Sequence, residues 1–353
     1  MTPKPSAPVT TPLQDGFTFP AEWDPHRACY IAWPCRPDTW HGHIEKTRAA
    51  YAEVARAIQQ FEPVIMLTPS PMTRSARERL GKDVEVQEIA LDDSWIRDNG
   101  PIFVRSKEGR LAVVQFRFNG WGERYPPFDT DAAVPAEIAK RLSLPLYRSS
   151  LVAEGGALTV DGEGTLVTTE SCLLNPNRNP GRTKEEVERD LKSYLGLRKV
   201  IWLRQGMHAS QIDGHVDGVA AFVRPGVILA ASAPQASDPN YRIFKANRER
   251  LLSETDARGR PIELVDLPSP AERAIDGHPL AATFMNFYLA NGGIVAPTFG
   301  DRADGEALDV LRSVFPGREV VGVRSEYIAI GGGDVHCITQ QLPRTKDDAR
   351  HGS

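Results

Sequence analysis

Residues 328–343 read Ile328-Ala329-Ile330-Gly331-Gly332-Gly333-Asp334-Val335-His336-Cys337-Ile338-Thr339-Gln340-Gln341-Leu342-Pro343, and the rest of the chain is organised around them. An apolar run stops at three glycines, a turn follows, and Cys337 lies in a second short extended run. Consecutive glycines leave φ free and add no side-chain bulk, so a ligand or another backbone segment can approach closely. A thiol placed there can face a cavity, although a free cysteine is more often an inert part of the core.

The composition is that of a globular protein with ordinary charge. The chain has 353 residues, 41% of them hydrophobic and 25% charged, with a formal net charge of -4. This length favours two domains or one large repetitive domain, and the acidic balance argues against nucleic acid as a partner. No apolar run is long enough to span a bilayer, and residues 1–12 lack the apolar core of a signal peptide. The four unevenly spaced cysteines do not resemble a disulfide framework, so we expect a cytoplasmic protein with reduced thiols and no membrane partner.

The chain is predicted to contain one catalytic domain. Residues 1–14, rich in Thr and Pro, are expected to be a disordered lead-in, residues 15–343 the domain, and residues 344–353 a polar tail. Within the domain a helix, a strand and a strand pair with a Gly-rich turn recur at about sixty residues, which fits a radial array of ββαβ units. Apolar periodicity predicts helices at 43–61, 75–80, 133–142, 183–194, 238–253 and 304–314. Strands are predicted at 64–67, 84–89, 102–104, 111–118, 157–160, 165–172, 199–203, 216–223, 227–231, 262–267, 284–289, 294–297 and 319–323.

Four of these recurring units have polar residues beside glycine at the end of a strand. The segments are Trp95-Ile96-Arg97-Asp98-Asn99-Gly100-Pro101, Glu154-Gly155-Gly156, Gly214-His215-Val216-Asp217-Gly218 and residues 331–337. If the repeats surround an axis, these ends converge on one central cavity.

The converging side chains are a thiol, an imidazole and three carboxylates: Cys337, His215, Glu154, Asp98 and Asp217. A thiolate is a strong nucleophile, and a neighbouring imidazolium or bound cation favours its formation. Three carboxylates suit a cationic, planar substrate, because a guanidinium is a fork of donors that pairs bidentately with carboxylates. These residue types therefore suggest attack of a thiol on a guanidino carbon.

Each residue also has a structural interpretation. Asp98 after Arg97 is typical of a surface ion pair. His215 and Asp217, alternating on one face of a predicted strand, are typical of a satisfied structural pair. Glu154 before two glycines is typical of a turn. Only the position that they share, beside glycine at the end of a strand, favours a catalytic role.

Two other groupings are less specific. Cys29, Cys35, His41 and His43 invite comparison with a zinc site, but their spacing fits no standard pattern and prolines intervene. We therefore predict no metal. The tryptophans Trp33, Trp40 and Trp121 are expected in the core or a pocket wall, because no basic stripe accompanies them.

With these motifs in place, the chain resembles the agmatine deiminase family, also called the Porphyromonas-type peptidylarginine deiminases. The resemblance covers nearly the whole chain, and the matching segments keep the family's order. They are residues 20–23, 92–101, 118–122, 154–156, 173–180, 214–217, 286–293 and 332–337.

The resemblance implies a pentein fold, which is a five-bladed pseudo-symmetric α/β propeller around a central pocket, and a homodimer. It implies a hydrolase of C–N bonds in linear amidines that converts agmatine to N-carbamoylputrescine and ammonia in polyamine metabolism, with no cofactor. Cys337 matches the nucleophile, His215 the general acid/base, and Glu154 a carboxylate that assists it. Asp98 and Asp217 match the carboxylates that grip the guanidinium and take part in catalysis, and Trp95 falls where the family has an aromatic residue near the substrate. We also expect four further residues to bind substrate: Asp92, Gln211, Asp213 and Gly332.

The chain departs from the family pattern near the substrate. Residues 157–159 read Ala-Leu-Thr where many relatives have Ser-Ile-His, Asp334 stands where Asn is usual, and Gln211 lies where acidic residues are common. These departures leave open a different small guanidine, such as arginine or a natural-product precursor, as the substrate. A non-catalytic binding protein on the same scaffold is a further alternative, because a fold does not specify a function.

Overall fold

The computed structural model describes residues 10–233, 235–346 and 348. Most of the predicted disordered lead-in and of the polar tail lies outside these residues. Residues 12–16 form a turn, in which the amide of Leu13 donates to the carbonyl of Ser193 at 3.1 Å. In the part of the chain that is described, no helix combines the length and apolar character needed to cross a bilayer.

Helices and strands alternate along the described residues. The helices are α1 Ile44–Gln59, α2 Thr73–Leu80, α3 Ile96–Asn99, α4 Gly120–Glu123, α5 Asp129–Arg141, α6 Glu170–Leu173, α7 Lys184–Leu195, α8 Tyr241–Leu252, α9 Asp304–Val314 and α10 Glu326–Ala329. The strands are β1 Phe17–Thr18, β2 His26–Ala32, β3 Val64–Thr68, β4 Glu85–Glu88, β5 Ile102–Ser106, β6 Leu111–Arg117, β7 Leu146–Val152, β8 Thr159–Val160, β9 Thr165–Thr169, β10 Lys199–Leu203, β11 Ala220–Arg224, β12 Val227–Ser232, β13 Glu263–Pro268, β14 Ala274–Ile275, β15 His278–Pro279, β16 Tyr288–Ala290, β17 Gly293–Thr298, β18 Glu319–Arg324 and β19 Thr339–Pro343.

Five sheets repeat one pairing pattern. Their strand orders are β19-β2-β3-β4, β1-β5-β6-β7, β10-β9-β8, β11-β12-β13 and β16-β17-β18, and β14 and β15 form a separate hairpin. In each of the five, one strand pairs antiparallel on one side and parallel on the other, as β12 does with β11 and β13. A helix crosses over between the parallel strands, because parallel neighbours need a long connection. The recurring unit predicted from the sequence is therefore confirmed.

The crossover helices are held by apolar faces and by their caps. In α1 the buried side chains include Tyr51, Val54 and Ile58 at helical spacing, as the sequence predicted. Burying each such large side chain stabilises the fold by about 1.5–3 kcal/mol. At the start of α7, Thr183 and Glu186 form the predicted capping box, with the Glu186 amide donating to the Thr183 hydroxyl at 3.2 Å.

Several segments differ from the prediction. Strands β2 and β7 were not predicted, and the strands predicted at 157–160 and 284–289 begin only at Thr159 and Tyr288. Residues 216–218 form a 3-10 helix instead of the start of a strand, so His215 and Asp217 do not alternate on a strand face. Glu170–Leu173 is α6 and not the end of β9. The apolar run before the three glycines includes helix α10, and Cys337 lies in the turn before β19. Short apolar runs do not distinguish a helical turn from a strand, and tertiary packing decides between them.

Candidate active site

Cys337 lies in a turn held against α3 and buried in the domain, with only 4% of its surface exposed. The amide of Arg97 donates to the carbonyl of Cys337 at 3.1 Å, which ties the turn to α3. A Cβ added at Gly333 would lie 2.9 Å from the Cys337 sulfur and 2.7 Å from the Trp95 ring. Gly332 has a φ of +100°, which favours glycine. The glycines therefore allow the close packing that places the thiol beside Trp95.

The thiol of Cys337 faces polar partners. Its sulfur lies 2.9 Å from Oδ1 of Asn286 and 3.6 Å from Oδ2 of Asp217. Burial raises the pKa of Cys337 well above its ordinary value, and the charges of Asp217 and Asp98 raise it further. The side chain is therefore a protonated thiol in the free protein, donating to Asn286.

Asp98 lies on α3 and lines the same cavity as the thiol. Its carboxylate accepts from Nε1 of Trp121 at 2.9 Å and from the amide of Gly156 at 3.0 Å. Burial raises the pKa of Asp98, with contributions from Asp217 and Glu154, although His215 and Trp121 act in the opposite direction. A carboxylate in this setting gains stability when a cation is placed beside it.

His215 stands between two carboxylates. Its Nδ1 lies 3.7 Å from Oδ1 of Asp98, and its Nε2 lies 3.6 Å from Oε2 of Glu154. Neither ring nitrogen has a hydrogen-bond partner, although the side chain is buried. Burial lowers the pKa of His215, but the nearby charges of Asp98 and Cys172 outweigh it and raise the pKa well above 6.5. The ring is therefore an imidazolium that can donate a proton.

Glu154 is ionised by a buried arginine that the sequence analysis did not single out. Nε of Arg178 donates to Oε1 of Glu154 at 2.6 Å, and both side chains are fully buried. Burial acts to raise the pKa of Glu154, but the charges of Arg178 and His215 outweigh it, so the pKa falls to about 2. Arg178 lies in residues 173–180, one of the segments that match the family, and this match is the sequence feature that could have identified it.

Asp217 is held by His336, which the sequence analysis also did not assign. Nδ1 of His336 lies 3.0 Å from Oδ2 of Asp217, and its Nε2 lies 3.0 Å from Oε1 of Glu22. Burial acts to raise the pKa of Asp217, but the hydrogen bond and charge of His336 lower it overall. Asp217 therefore remains a carboxylate next to Cys337.

Gly156 marks the point where three of these side chains meet. A Cβ added there would lie 2.7 Å from Nδ1 of His215, 2.8 Å from Oδ1 of Asp98 and 2.9 Å from Oδ2 of Asp217. The structure thus brings together the residues that the sequence predicted to converge.

Two cavities meet at Cys337. One, of about 320 Å³, is lined among others by Trp95, Asp98, Trp121, Gln211 and Gly332. The other, of about 470 Å³, includes His215 and Asp217 in its wall. The first combines aromatic faces with acidic groups, as expected for a site that receives a cationic ligand.

Two residues predicted to bind substrate are turned away from these cavities. Asp92 accepts from the amides of Thr130 and Asp131 at the start of α5, at 2.8 and 3.3 Å. Its neighbour Asp93 lines the smaller cavity instead. A carboxylate at a helix N-terminus satisfies free amides, and this competing role keeps the Asp92 side chain at α5, so its predicted contact with substrate stays a prediction.

The second is Asp213. Its Oδ2 accepts from Arg178 at 2.8 Å and from Asn177 at 3.0 Å, while its Oδ1 accepts from Arg124 at 2.6 Å. The adjacent Gln211 remains at the cavity, where its side-chain oxygen accepts from Tyr125 at 3.1 Å. Asp213 therefore braces the loop that carries Gln211.

The four residues considered as a zinc site do not form a cluster of metal ligands. His41 stacks on His278 with ring centroids 3.9 Å apart, His43 lies 3.1 Å from Asp276, and Cys29 is buried in the core. Among the described residues, metal-ligating atoms come together at Glu154, Cys172 and His215.

Comparison with known proteins places this geometry in a family. The family model of the Porphyromonas-type peptidyl-arginine deiminases matches residues 18–343. The chain is 42% identical to an agmatine deiminase of Pseudomonas aeruginosa (strain LESB58) over 362 residues, covering 96% of this chain and 98% of that protein. It is 42% identical to the agmatine deiminase of Stutzerimonas stutzeri over 359 residues, covering 95% and 98%. The structure of the agmatine deiminase of Enterococcus faecalis superposes with a TM-score of 0.93 at 35% identity, covering 97% of this chain and all of that one.

Proposed function

The chain belongs to the Porphyromonas-type peptidyl-arginine deiminase family, and from this premise we propose that it is an agmatine deiminase. The reaction is hydrolysis of a C–N bond in the guanidinium group, which converts agmatine and water to N-carbamoylputrescine and ammonia. The observation that carries the proposal is the position of the Cys337 sulfur, 3.6 Å from the Asp217 carboxylate beside a cavity that Asp98 also lines.

Substrate binding is the first step of the proposed mechanism. Asp98 and Asp217 pair with the N–H groups of the planar cation, which orients its carbon towards Cys337. The same cation offsets the charges that raise the pKa of the thiol. Cys337 therefore loses its proton to solvent when the substrate binds, and a thiolate faces the guanidino carbon.

The thiolate then forms an S–C bond with that carbon. The His215 imidazolium gives a proton to one terminal nitrogen, and the C–N bond breaks to release ammonia. The product on the enzyme is a cationic thiouronium attached to Cys337. Glu154, ionised by Arg178, stabilises the charge of His215 before this transfer.

Hydrolysis completes the cycle. Neutral His215 now accepts a proton from water, the oxygen adds to the thiouronium carbon, and the C–S bond breaks. The ureido product leaves, His215 is again an imidazolium, and the second proton of the attacking water restores the thiol. The ammonia takes up the proton that Cys337 lost at binding.

We extend the proposal to architecture and setting. The five sheets would be the blades of a pseudo-symmetric pentein propeller within one domain, residues 15–343. The protein would act as a cytoplasmic homodimer without a cofactor. An experimental structure and light scattering in solution test the propeller and the dimer.

The substrate is tested with a panel of guanidines. Purified protein is incubated with agmatine, arginine and other small guanidines, and both ammonia and the ureido product are measured. Agmatine is expected to give the highest kcat/KM. Preference for arginine would contradict the substrate, and no turnover of any guanidine by folded protein would contradict the enzyme.

A further inference from the structure

Cys172 is a buried thiol that the proposed reaction does not use. It lies on α6, is fully buried, and its sulfur donates to Oε2 of Glu154 at 3.7 Å. The same carboxylate oxygen lies 3.6 Å from Nε2 of His215. A sulfur, an imidazole nitrogen and a carboxylate oxygen thus surround one point inside the protein.

Two of the three distances between their ligand atoms are close to those found around zinc. The ligand atoms of Glu154, Cys172 and His215 all lie within 4.8 Å of one another. With bonds of about 2.3 Å to sulfur and about 2.0 Å to nitrogen and oxygen, tetrahedral zinc separates its ligand atoms by about 3.3–3.5 Å. The two distances from Glu154, 3.6 and 3.7 Å, therefore require shifts of only a few tenths of an ångström.

The surroundings favour a ligand at this point. Nε2 of His215 is buried without a hydrogen-bond partner. Its other nitrogen lies 3.7 Å from Oδ1 of Asp98, the arrangement in which a carboxylate orients a zinc-bound histidine. Oε1 of Glu154 is held by Arg178, so Oε2 is the oxygen directed at Cys172 and His215.

The donor set suits a zinc ion, because cysteine sulfur, histidine nitrogen and glutamate oxygen are all zinc ligands in proteins. His215 lines the larger cavity, which provides a route for the ion.

We propose that Glu154, Cys172 and His215 form a zinc-binding site whose occupation inhibits the enzyme. The bound ion occupies Nε2 of His215, so the ring can no longer be an imidazolium and loses its proposed role as proton donor. The ion also binds Glu154. Inhibition rests on the proposed function, whereas metal binding does not. The site is distinct from the Cys337 thiol, which keeps its contact with Asn286.

Binding is tested with cobalt(II) as a spectroscopic probe in the Cys337→Ser variant, which removes the nucleophile as a ligand. One cobalt per chain with a thiolate-to-cobalt charge-transfer band is expected. The band should persist when Cys29→Ala is added, because Cys29 is equally buried but packs in a different core cluster from Cys172. It should disappear when Cys172→Ala is added; if circular dichroism shows that this variant is unfolded, Cys172→Ser replaces it. A band that survives loss of Cys172, or that requires Cys337, overturns the proposal.

Inhibition is tested with zinc in assays of ammonia release. Zinc should stop turnover of the native protein, and a chelator should restore it. In Cys172→Ala the half-inhibiting zinc concentration, relative to that variant's own rate, should rise at least about tenfold, since even loss of an outer partner costs about 10–100-fold. Unchanged sensitivity overturns the proposal. A protein that turns over no guanidine overturns the proposed function, and the cobalt spectrum still decides the metal site.

Discussion

Nδ1 of His336 lies 3.0 Å from Oδ2 of Asp217, while Nε2 on the other side of the ring lies 3.0 Å from Glu22. Both nitrogens therefore face carboxylates, and only an imidazolium can donate to both. Burial and Arg97 act to lower the pKa of His336, but Glu22 and Asp217 outweigh them and raise it. His336 thus orients Asp217 and keeps it ionised beside Cys337.

His336→Asn should reduce kcat/KM by about 10–100-fold, because a hydrogen bond to a charged group is worth about 1.5–3 kcal/mol. The loss should fall mainly on KM, since Asp217 is proposed to bind the cation. The acid limb of the pH profile should move to higher pH, because Asp217 loses the partner that lowers its pKa. Steady-state kinetics between pH 4 and 8 measure both effects. A fall in kcat alone with an unmoved acid limb would show a different role.

Cys337→Ser should reduce turnover of agmatine by at least about 10³-fold, since a serine hydroxyl at this position has no base to activate it. The midpoint of thermal unfolding should change little, because the replacement is nearly isosteric. Cys35→Ser is the control, since Cys35 lines neither cavity. Comparable activity in the two variants would assign the nucleophile elsewhere.

Gly156→Ala should abolish most activity while the protein stays folded. The added methyl would come within 2.7–2.9 Å of His215, Asp98 and Asp217, so these side chains must separate. Gly305→Ala, in α9 with open space around its Cβ position, should leave activity unchanged. Ammonia release and circular dichroism measure the two outcomes. Normal activity in Gly156→Ala would mean that the three side chains need not converge.

A cationic alkylating agent should reach Cys337 faster than a neutral one. Burial and two carboxylates raise the pKa of this thiol, so inactivation by iodoacetamide should be slow at pH 7 and still rise at pH 9. Chloroacetamidine carries the charge that the carboxylates favour and should inactivate rapidly at pH 7. Mass spectrometry locates the adduct, with Cys337→Ser as the control. Equal rates with both reagents at pH 7 would indicate a thiolate in the free enzyme.

Acid should destabilise the protein over a defined range. The pKa values of Glu22 and Glu154 are lowered from 4.5 to about 2 in the folded state. Because the unfolded chain binds these protons more tightly, their stabilising contribution is complete above about pH 4.5 and is lost as pH falls through about 2. In urea titrations, Glu22→Gln should be less stable than the native protein at pH 7 and should lose less stability between pH 4.5 and 2. Parallel pH curves for the two proteins would contradict this assignment.

The sequence predicted the repeating unit and the convergence of Cys337, His215, Glu154, Asp98 and Asp217. These predictions depended on local signals: apolar periodicity, Gly-rich turns and polar residues at strand ends. The roles of the five residues remain predictions until the variants are measured. The segments whose secondary structure was predicted wrongly, such as residues 216–218, are single turns in which packing overrides local preference.

Contacts between distant segments could not be read from spacing. Glu22 reaches His336 across nearly the whole chain, and Arg178 joins Glu154 to Asp213 from a third segment. No periodicity marks a buried arginine or a second histidine as a partner of the site. Asp92 and Asp93 were indistinguishable for the same reason, because only the position of α5 decides which one faces the cavity.

The strand after Cys337 pairs with β2, so one sheet joins the first long strand described with the last. Contacts of such long sequence separation form late and slowly in folding. During synthesis, β19 can complete this sheet only after all the other strands have emerged from the ribosome. A growing chain therefore contains its carboxylates and His215 before it contains its proposed nucleophile. It is expected to be inactive until β19 pairs with β2.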